Sequence, residues 1–285
     1  TWGEDPFLTG TLGSAFAKGL QGNDPKYLKS AACAKHYAVH SGPEGKRHIF
    51  NAEPTKKDFF ETYLAAFKML VQDAKVEAVM CAYNRTYSEP CCGSKYMLTD
   101  ILRGMWGFTG HIVTDCDATD DIFRTHKYTK DAAEAAALSV KSGVNVNCGG
   151  TFKALNEAVT RGLVTEKEID NNLRILFLTR IKLGLLDPQD AVPFNKIGTD
   201  VINCKEHRQL AYKGALESVV LLKNNGALPI KSDVKNLFLI GPNAADVDVM
   251  LGNYNGVSSE VVTIMEGIAG KISHGTRFEY RKGFL

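Results

Sequence analysis

Nowhere in this 285-residue chain is there an apolar run long enough to cross a bilayer; the longest, such as Leu237-Phe238-Leu239-Ile240, are strand-sized. An excess of one charge is lacking too. The formal net charge is +2 with Lys and Arg scattered, which gives no footprint for nucleic acid or a membrane surface. Neither partner is therefore expected. Metal-site spacing is also missing. The seven cysteines (Cys33, Cys81, Cys91, Cys92, Cys116, Cys148 and Cys204) contain no CxxC…CxxC pattern. His36 and His40 lie four apart without the glutamate of an HExxH motif. No phosphate-cradling glycine loop stands out, so neither a metal nor a cofactor is expected. An odd number of cysteines, several within apolar runs, points to buried free thiols, with one disulfide if the parent protein is exported.

What is present fits a soluble globular protein: 44% hydrophobic and 23% charged residues, in a length that suits one large domain or two ordinary ones. The chain opens Thr1-Trp2-Gly3-Glu4-Asp5-Pro6 without an initiator Met or leader, and it stops soon after a new strand pattern, Arg277-Phe278-Glu279-Tyr280. We read this as an internal piece of a longer protein.

Residues 1–186 alternate strand and helix signals. Small-residue strand Ser30 to Tyr37 precedes an amphipathic helix from Thr55 to Gln72, with Phe59, Phe60, Tyr63, Leu64, Phe67 and Leu70 at helical spacing. A strand from Val76 to Asn84, a helix from Met97 to Gly104 and a strand ending at Asp115 follow. Then come a helix from Lys130 to Ser142, a strand from Gly143 to Cys148 and a helix from Thr151 to Arg161. Thr165 and Glu168 form a capping box that opens a helix to about Leu183. Repeated βα units with polar groups at each strand's end read as a parallel barrel or open sheet. About four strands are too few for an eight-fold barrel. Residues 187–204 carry Pro188, Pro193 and Gly198 without periodicity and read as a linker. Residues 205–285 begin a second α/β unit, with a helix near Glu206 to Lys223 and a strand over Lys235 to Ile240.

The strand tips carry the chemistry. Gly110-His111-Ile112-Val113-Thr114-Asp115-Cys116-Asp117 runs an apolar strand into a carboxylate. In parallel α/β folds that end of the strand is where catalysis sits. An Asp there is equally suited to capping the next helix, the role we assign to Asp117, Asp120 and Asp121. Lys35, His36, Tyr83, Asn84, Asp115, Asp117 and Asn147 all fall at such tips. Donors that grip hydroxyls around a carboxylate facing an electrophilic carbon suit a glycosidic centre.

Five segments then carry a resemblance. Gly3-Glu4-Asp5-Pro6-Phe7-Leu8, Cys33-Ala34-Lys35-His36-Tyr37, Val79-Met80-Cys81-Ala82-Tyr83-Asn84 and Val113-Thr114-Asp115-Cys116 occur in order. Glu217-Ser218-Val219-Val220-Leu221-Leu222-Lys223-Asn224 through Leu228-Pro229 to Ile240-Gly241-Pro242-Asn243 completes the set. Together they resemble glycoside hydrolase family 3, the β-glucosidases and β-xylosidases, over almost the whole chain. The resemblance implies the C-terminal part of a (β/α)8 TIM-like barrel followed by the start of an α/β sandwich domain. It also implies a retaining mechanism on an oligosaccharide or aryl β-glycoside. Asp115 would be the nucleophile, Lys35 and His36 would hold sugar hydroxyls and keep Asp115 ionised, and Tyr83 would line the subsite. Arg47, in the loop after Pro43-Glu44-Gly45, either reaches the sugar or is a solvated charge. The family's upstream GRxxE arginine would precede Thr1, and its acid/base glutamate would lie beyond Leu285; Glu260 and Glu266 fall before its expected place.

Cys116 after the nucleophile favours a β-xylosidase over a β-glucosidase, because many family β-glucosidases carry Trp there. The Pro-Gly-His-Gly core of the family's N-acetylglucosaminidases is absent from Lys35 to Gly42. Two other classes stand beside this reading: a non-catalytic carbohydrate-binding homologue, and a Schiff-base barrel enzyme using Lys35. The parent is expected to be periplasmic or secreted, by resemblance only; its oligomeric state is left open.

Overall fold

A computed structural model of the chain describes residues 2–283. They divide into two compact units, one ending at Thr199 and the other beginning at Asp200. The division falls within residues 187–204, which form short 3-10 turns at Gln189–Ala191, Pro193–Lys196 and Thr199–Val201.

In the first unit, Asp5 caps helix α1 (Pro6–Gln21): its carboxylate accepts the N–H groups of Phe7 and Leu8, and Pro6 supplies the preset first turn. Strand β1 (Cys33–Tyr37) and the two-residue strand β2 (Asn51–Ala52) come next. Thr55 caps α2 (Lys56–Asp58), which runs through a π-helical stretch, Phe59–Tyr63, into α3 (Ala65–Gln72). The helix expected over 55–72 is thus present but widened. The Leu64 N–H reaches the Phe59 carbonyl at 2.9 Å, and both side chains are buried. The small stripe Gly10, Gly13 and Ala17 of α1 lets it lie close to α3; a Cβ on Gly10 would stand 2.4 Å from the Met69 sulfur.

Strand β3 (Ala78–Cys81) leads to β4 (Arg85–Thr86) and β5 (Glu89–Pro90), which pair with β2 as a small separate sheet. The π-helical segment Tyr96–Met105 buries Met97, Leu98, Ile101 and Leu102. Strand β6 (His111–Thr114), α4 (Ala118–Arg124), α5 (Ala132–Lys141), α6 (Leu155–Thr160) and α7 (Glu166–Lys182) follow. The Thr165/Glu168 capping box opens α7 as read from the sequence. The main sheet is parallel, in the order β1-β3-β6. Its buried Val79, Cys81 and Ile112 form one core with Tyr37, Leu98 and Leu102.

The strand expected over 143–148 shrinks to one bridge, Val146 against Val113. Side chains take over the ladder there. Asn145 Oδ1 accepts the Ile112 N–H at 2.7 Å, and Thr114 Oγ1 accepts the Cys148 N–H at 2.9 Å. The Arg103 guanidinium braces the same region, donating to the Gly110 carbonyl and Asn145 Oδ1. Burial lowers its pKa to about 10.

The cysteine expectation needs correcting. Among the described residues there are two disulfides, Cys81–Cys92 and Cys116–Cys148, while Cys33, Cys91 and Cys204 are free thiols. Cys81 ends β3, and Cys92 folds back over it; Cys116 and Cys148 leave neighbouring parallel positions. The Cα separations, 5.2 and 4.4 Å, are within bridging range. Spacing along the chain could not disclose either proximity.

The second unit holds α8 (Lys205–Ser218), β7 (Asn236–Ile240), α9 (Ile264–Ala269) and β8 (Arg277–Arg281). β7 and β8 pair in parallel, Leu237 opposite Phe278, and Thr263 with Glu266 forms a capping box for α9. Arg208 pairs with Glu260. Among the described residues, no helix is long and apolar enough to cross a membrane.

His126, just after α4, is buried, and that burial lowers its pKa from 6.5 to about 4. Between those values the unfolded chain takes up a proton that the native state refuses, so stability is lost as pH falls. The loss should reach about 3 kcal/mol by pH 4, and His126→Phe should flatten that slope in chemical denaturation at a series of pH values. Breaking Cys116–Cys148 releases a loop of 32 residues against 11 for Cys81–Cys92. The paired serine variants should differ by about 1 kcal/mol in unfolding free energy, from loop-closure entropy.

Candidate active site

Parallel pairing gathers three segments at the C-terminal end of the sheet. β1 delivers Lys35 and His36, the extension of β3 delivers Tyr83, and the residue after β6 is Asp115. The Asp115 backbone continues the ladder, its N–H donating to the Cys81 carbonyl at 3.1 Å. Its carboxylate turns back on its own loop, where Oδ1 accepts the Cys116 N–H at 2.8 Å.

The other oxygen, Oδ2, lies 3.2 Å from His36 Nε2, with 14% of the Asp115 side chain exposed. Burial pushes the His36 imidazole below its ordinary 6.5, and the charges of Lys35, His40 and Arg47 act the same way against the pull of Asp115. His36 therefore meets the carboxylate as a neutral ring donating through Nε2, a tautomer assigned from this contact. Tyr83 also faces Asp115. Burial, and then the adjacent carboxylate that its hydroxyl hydrogen-bonds, raise its pKa to about 12. Both groups around Asp115 are thus neutral donors.

Lys35 is exposed at the mouth. With His36 and His40 it lines a groove of about 780 Å³ that runs along β1 towards Trp2, Phe67 and Leu70. That groove does not take in Asp115 or Tyr83. A smaller cavity of about 330 Å³ lies at the opposite end of the strands, beside Glu77, Phe108 and Lys182, and holds none of the candidate residues.

Arg47 is not left as a loose loop charge. Its guanidinium lies 5.2 Å from the centre of the Tyr83 ring, Nη1 donates to Glu44 and Nε donates to His48 Nε2. Lys35, His36, Arg47, Tyr83 and Asp115 therefore occupy one end of one sheet, although 80 residues separate the first from the last.

Other strand-tip residues do different work. Asn84 is fully buried and ties the turn after β1: its amide nitrogen lies within 3.3 Å of the Ala38 and Val39 carbonyls, and its Oδ1 3.2 Å from His40 Nδ1. Asn147 is engaged by Thr114. The capping role assigned to three aspartates is corrected. Asp117 occupies the cap position at φ 63° without a side-chain cap bond. Asp120 binds Arg124 and Thr151. Asp121 reaches back 73 residues to His48 at 2.7 Å. The sequence reading missed His48 altogether, since nothing in its local pattern announces a partner that distant. Cys116, the residue after Asp115, is bonded to Cys148. Among the described residues, no group of three or more His, Cys, Asp or Glu side chains is arranged to hold a metal ion.

Known proteins resemble this chain along almost its whole length. The family profile Glycosyl hydrolase family 3 N terminal domain matches residues 1–178, and Glycosyl hydrolase family 3 C-terminal domain matches residues 219–280. A xylan 1,4-β-xylosidase of Xylanibacter ruminicola is 45% identical over 276 residues, 95% of this chain and 32% of that protein. A β-xylosidase/α-L-arabinofuranosidase of Medicago sativa is 36% identical over 282 residues, covering 95% of this chain and 36% of the relative. A solved exo-β-xylosidase, held with a xylobiose aziridine activity-based probe, superposes with a TM-score of 0.90 at 31% identity, across 99% of this chain and 37% of that one. A β-glucosidase from Erythrobacter marinus gives 0.87 at 30% identity, across 99% and 38%. The chain spans about a third of the length of the relatives it matches. Its mixed α/β fold is a partial piece of that architecture, whose N-terminal domain is a TIM-like barrel. The chain belongs to glycosyl hydrolase family 3.

Proposed function

We propose that the complete protein is a retaining β-glycosidase that forms a covalent glycosyl-enzyme on Asp115. The observation that carries this reading is the carboxylate at the end of β6, met by two neutral donors, His36 at 3.2 Å and Tyr83. A neutral donor orients one oxygen without fixing a counter-charge on the nucleophile. One carboxylate oxygen attacks the anomeric carbon as the glycosidic bond breaks, and the leaving oxygen takes a proton from the acid/base. Water, deprotonated by that same acid/base, then releases the sugar. The acid/base is assigned to a glutamate of the complete protein beyond Leu285. Lys35, His36 and Arg47 are assigned to sugar hydroxyls, where contacts that strengthen in an oxocarbenium-like transition state raise the rate. The adjacent His36 and the exposed position of Lys35 give no desolvation of the kind a Schiff-base lysine needs, so the Schiff-base reading falls behind.

A β-xyloside is the favoured substrate. The position after the nucleophile is a cysteine tied to Cys148 rather than a bulky aromatic, and the named relatives include xylosidases. A β-glucosidase among the structural neighbours keeps β-glucosides as the second reading. We further propose an exported parent, since two disulfides suit an oxidising compartment.

In the complete protein, Asp115→Ala should lower kcat for an aryl β-glycoside by about 10⁴-fold or more, the scale seen when a catalytic nucleophile is removed. A 2-fluoro glycoside should add one sugar mass to the wild type and none to the variant; a labelled Asp115→Ala protein overturns the assignment. Hydrolysis of nitrophenyl β-xyloside, β-glucoside and α-arabinofuranoside should rank the xyloside first in kcat/KM. A glucoside preference would move the protein to the second reading.

A further inference from the structure

We propose that Asp121 and His48 are positioning residues, a carboxylate–imidazole–guanidinium relay that holds Arg47 against Tyr83 at the mouth of the sheet. The inference builds on the glycosidase reading, which gives Arg47 a sugar hydroxyl to bind.

The relay begins on α4, the helix that follows the nucleophile. Asp121 is almost buried, and its Oδ2 lies 2.7 Å from His48 Nδ1. The Thr125 hydroxyl lies 2.9 Å from both Asp121 Oδ1 and the His48 carbonyl, bracing the two partners together. A carboxylate on Nδ1 fixes the proton there and leaves Nε2 as an acceptor. That acceptor faces Arg47, whose Nε donates to it at 3.2 Å. The His48 ring also packs 4.4 Å from the Tyr83 ring centre, beside the guanidinium at 5.2 Å.

Glu44 alone cannot supply this order. It is an exposed partner three residues from Arg47, and such pairs contribute little against the entropy of a long side chain. The Asp121 contact differs because it is shielded and spans two elements, the 43–50 loop and α4. Displacing either relay member frees the guanidinium to rotate, so the sugar must then bind a loop that is no longer preset.

The test uses the complete protein, with the aryl β-glycoside that it turns over best. His48→Ala and Asp121→Ala should each raise KM about tenfold, the size expected for one charge-assisted hydrogen bond, with kcat changed less than KM. In an Arg47→Ala background the same changes should add no more than about twofold, because the relay acts only through Arg47. His48→Gln, which can donate to Asp121 and accept from Arg47, should recover most of the loss. Equal factors in both backgrounds, or an unchanged KM in His48→Ala, would overturn the proposal in favour of a plain structural tether. A second readout needs no turnover. Ring 15N shifts should show His48 protonated on Nδ1 and bare on Nε2, and Asp121→Ala should mix the tautomers; an Nε2–H tautomer in the wild type refutes the relay. If no aryl glycoside is cleaved, the glycosidase reading fails, and the ring shifts alone decide the geometry.

Discussion

The carbonyl of Cys81 accepts the N–H of Asp115, the last rung of a ladder that pairs Ala78 with His111 and Cys81 with Thr114. On the other edge β3 pairs Cys33 with Ala78 and Ala34 with Val79. A residue slip of β3 against either neighbour would turn its side chains to the opposite face and carry His36 or Asp115 out of reach of Tyr83. The apolar core fixes that register: Val79, Cys81 and Ile112 bury completely, and moving them to solvent would lose about 1.5–3 kcal/mol for each large side chain. At Gly110 an added Cβ would stand 2.0 Å from the Glu77 carbonyl oxygen, so the strands begin in contact as well as end in contact. The site thus inherits its geometry from backbone pairing and core burial rather than from its own polar contacts.

Electrostatics then act on a frame already set. Burial lowers the proton affinity of His36, and the neighbouring Lys35, His40 and Arg47 act the same way against the pull of Asp115. Tyr83 moves the other way, because burial and the neighbouring carboxylate both disfavour the phenolate. One shift keeps an imidazole uncharged and the other keeps a phenol protonated. The carboxylate is consequently met by dipoles that donate without transferring a proton of their own. Cys116 adds a backbone N–H to the same group, and its bond to Cys148 restrains the loop that presents it.

How much of this the sequence disclosed depends on the range of each interaction. Short-range signals were readable. The run from Ile112 to Asp115 announced a strand with an acid at its tip, and Thr165 with Glu168 announced a helix start that the structure reproduces. The π-helical stretches after Asp58 and Lys95 were not readable, because Phe59 and Leu64 fit the helical stripe while their five-residue hydrogen bond depends on packing. The stretch from Gly143 to Cys148 reads as a strand, yet Asn145 and Thr114 spend side-chain atoms on ladder partners and leave a single bridge. Disulfide pairing and the Asp121–His48 contact lie furthest from view, since each joins positions that only the folded sheet makes adjacent.

The segment from Asp115 to Asp121 concentrates these demands. Within seven residues it supplies a carboxylate at the mouth, a disulfide to the neighbouring strand position and an anion that grips the loop after β1. Asp117 sits at φ 63° between them, a left-handed conformation that costs energy for a residue with a side chain unless its surroundings impose it. They do impose it. The Asp117 N–H donates to the Cys148 carbonyl at 2.7 Å, and a Cβ on Gly149 would stand 2.4 Å from the Asp117 carboxylate. Backbone that must leave a strand, meet a disulfide and enter a helix within so few residues has little freedom left. That restriction fixes the backbone path between the carboxylate and the first turn of α4, because the Cys116–Cys148 bond and the Asp117 N–H on the Cys148 carbonyl anchor the stretch twice.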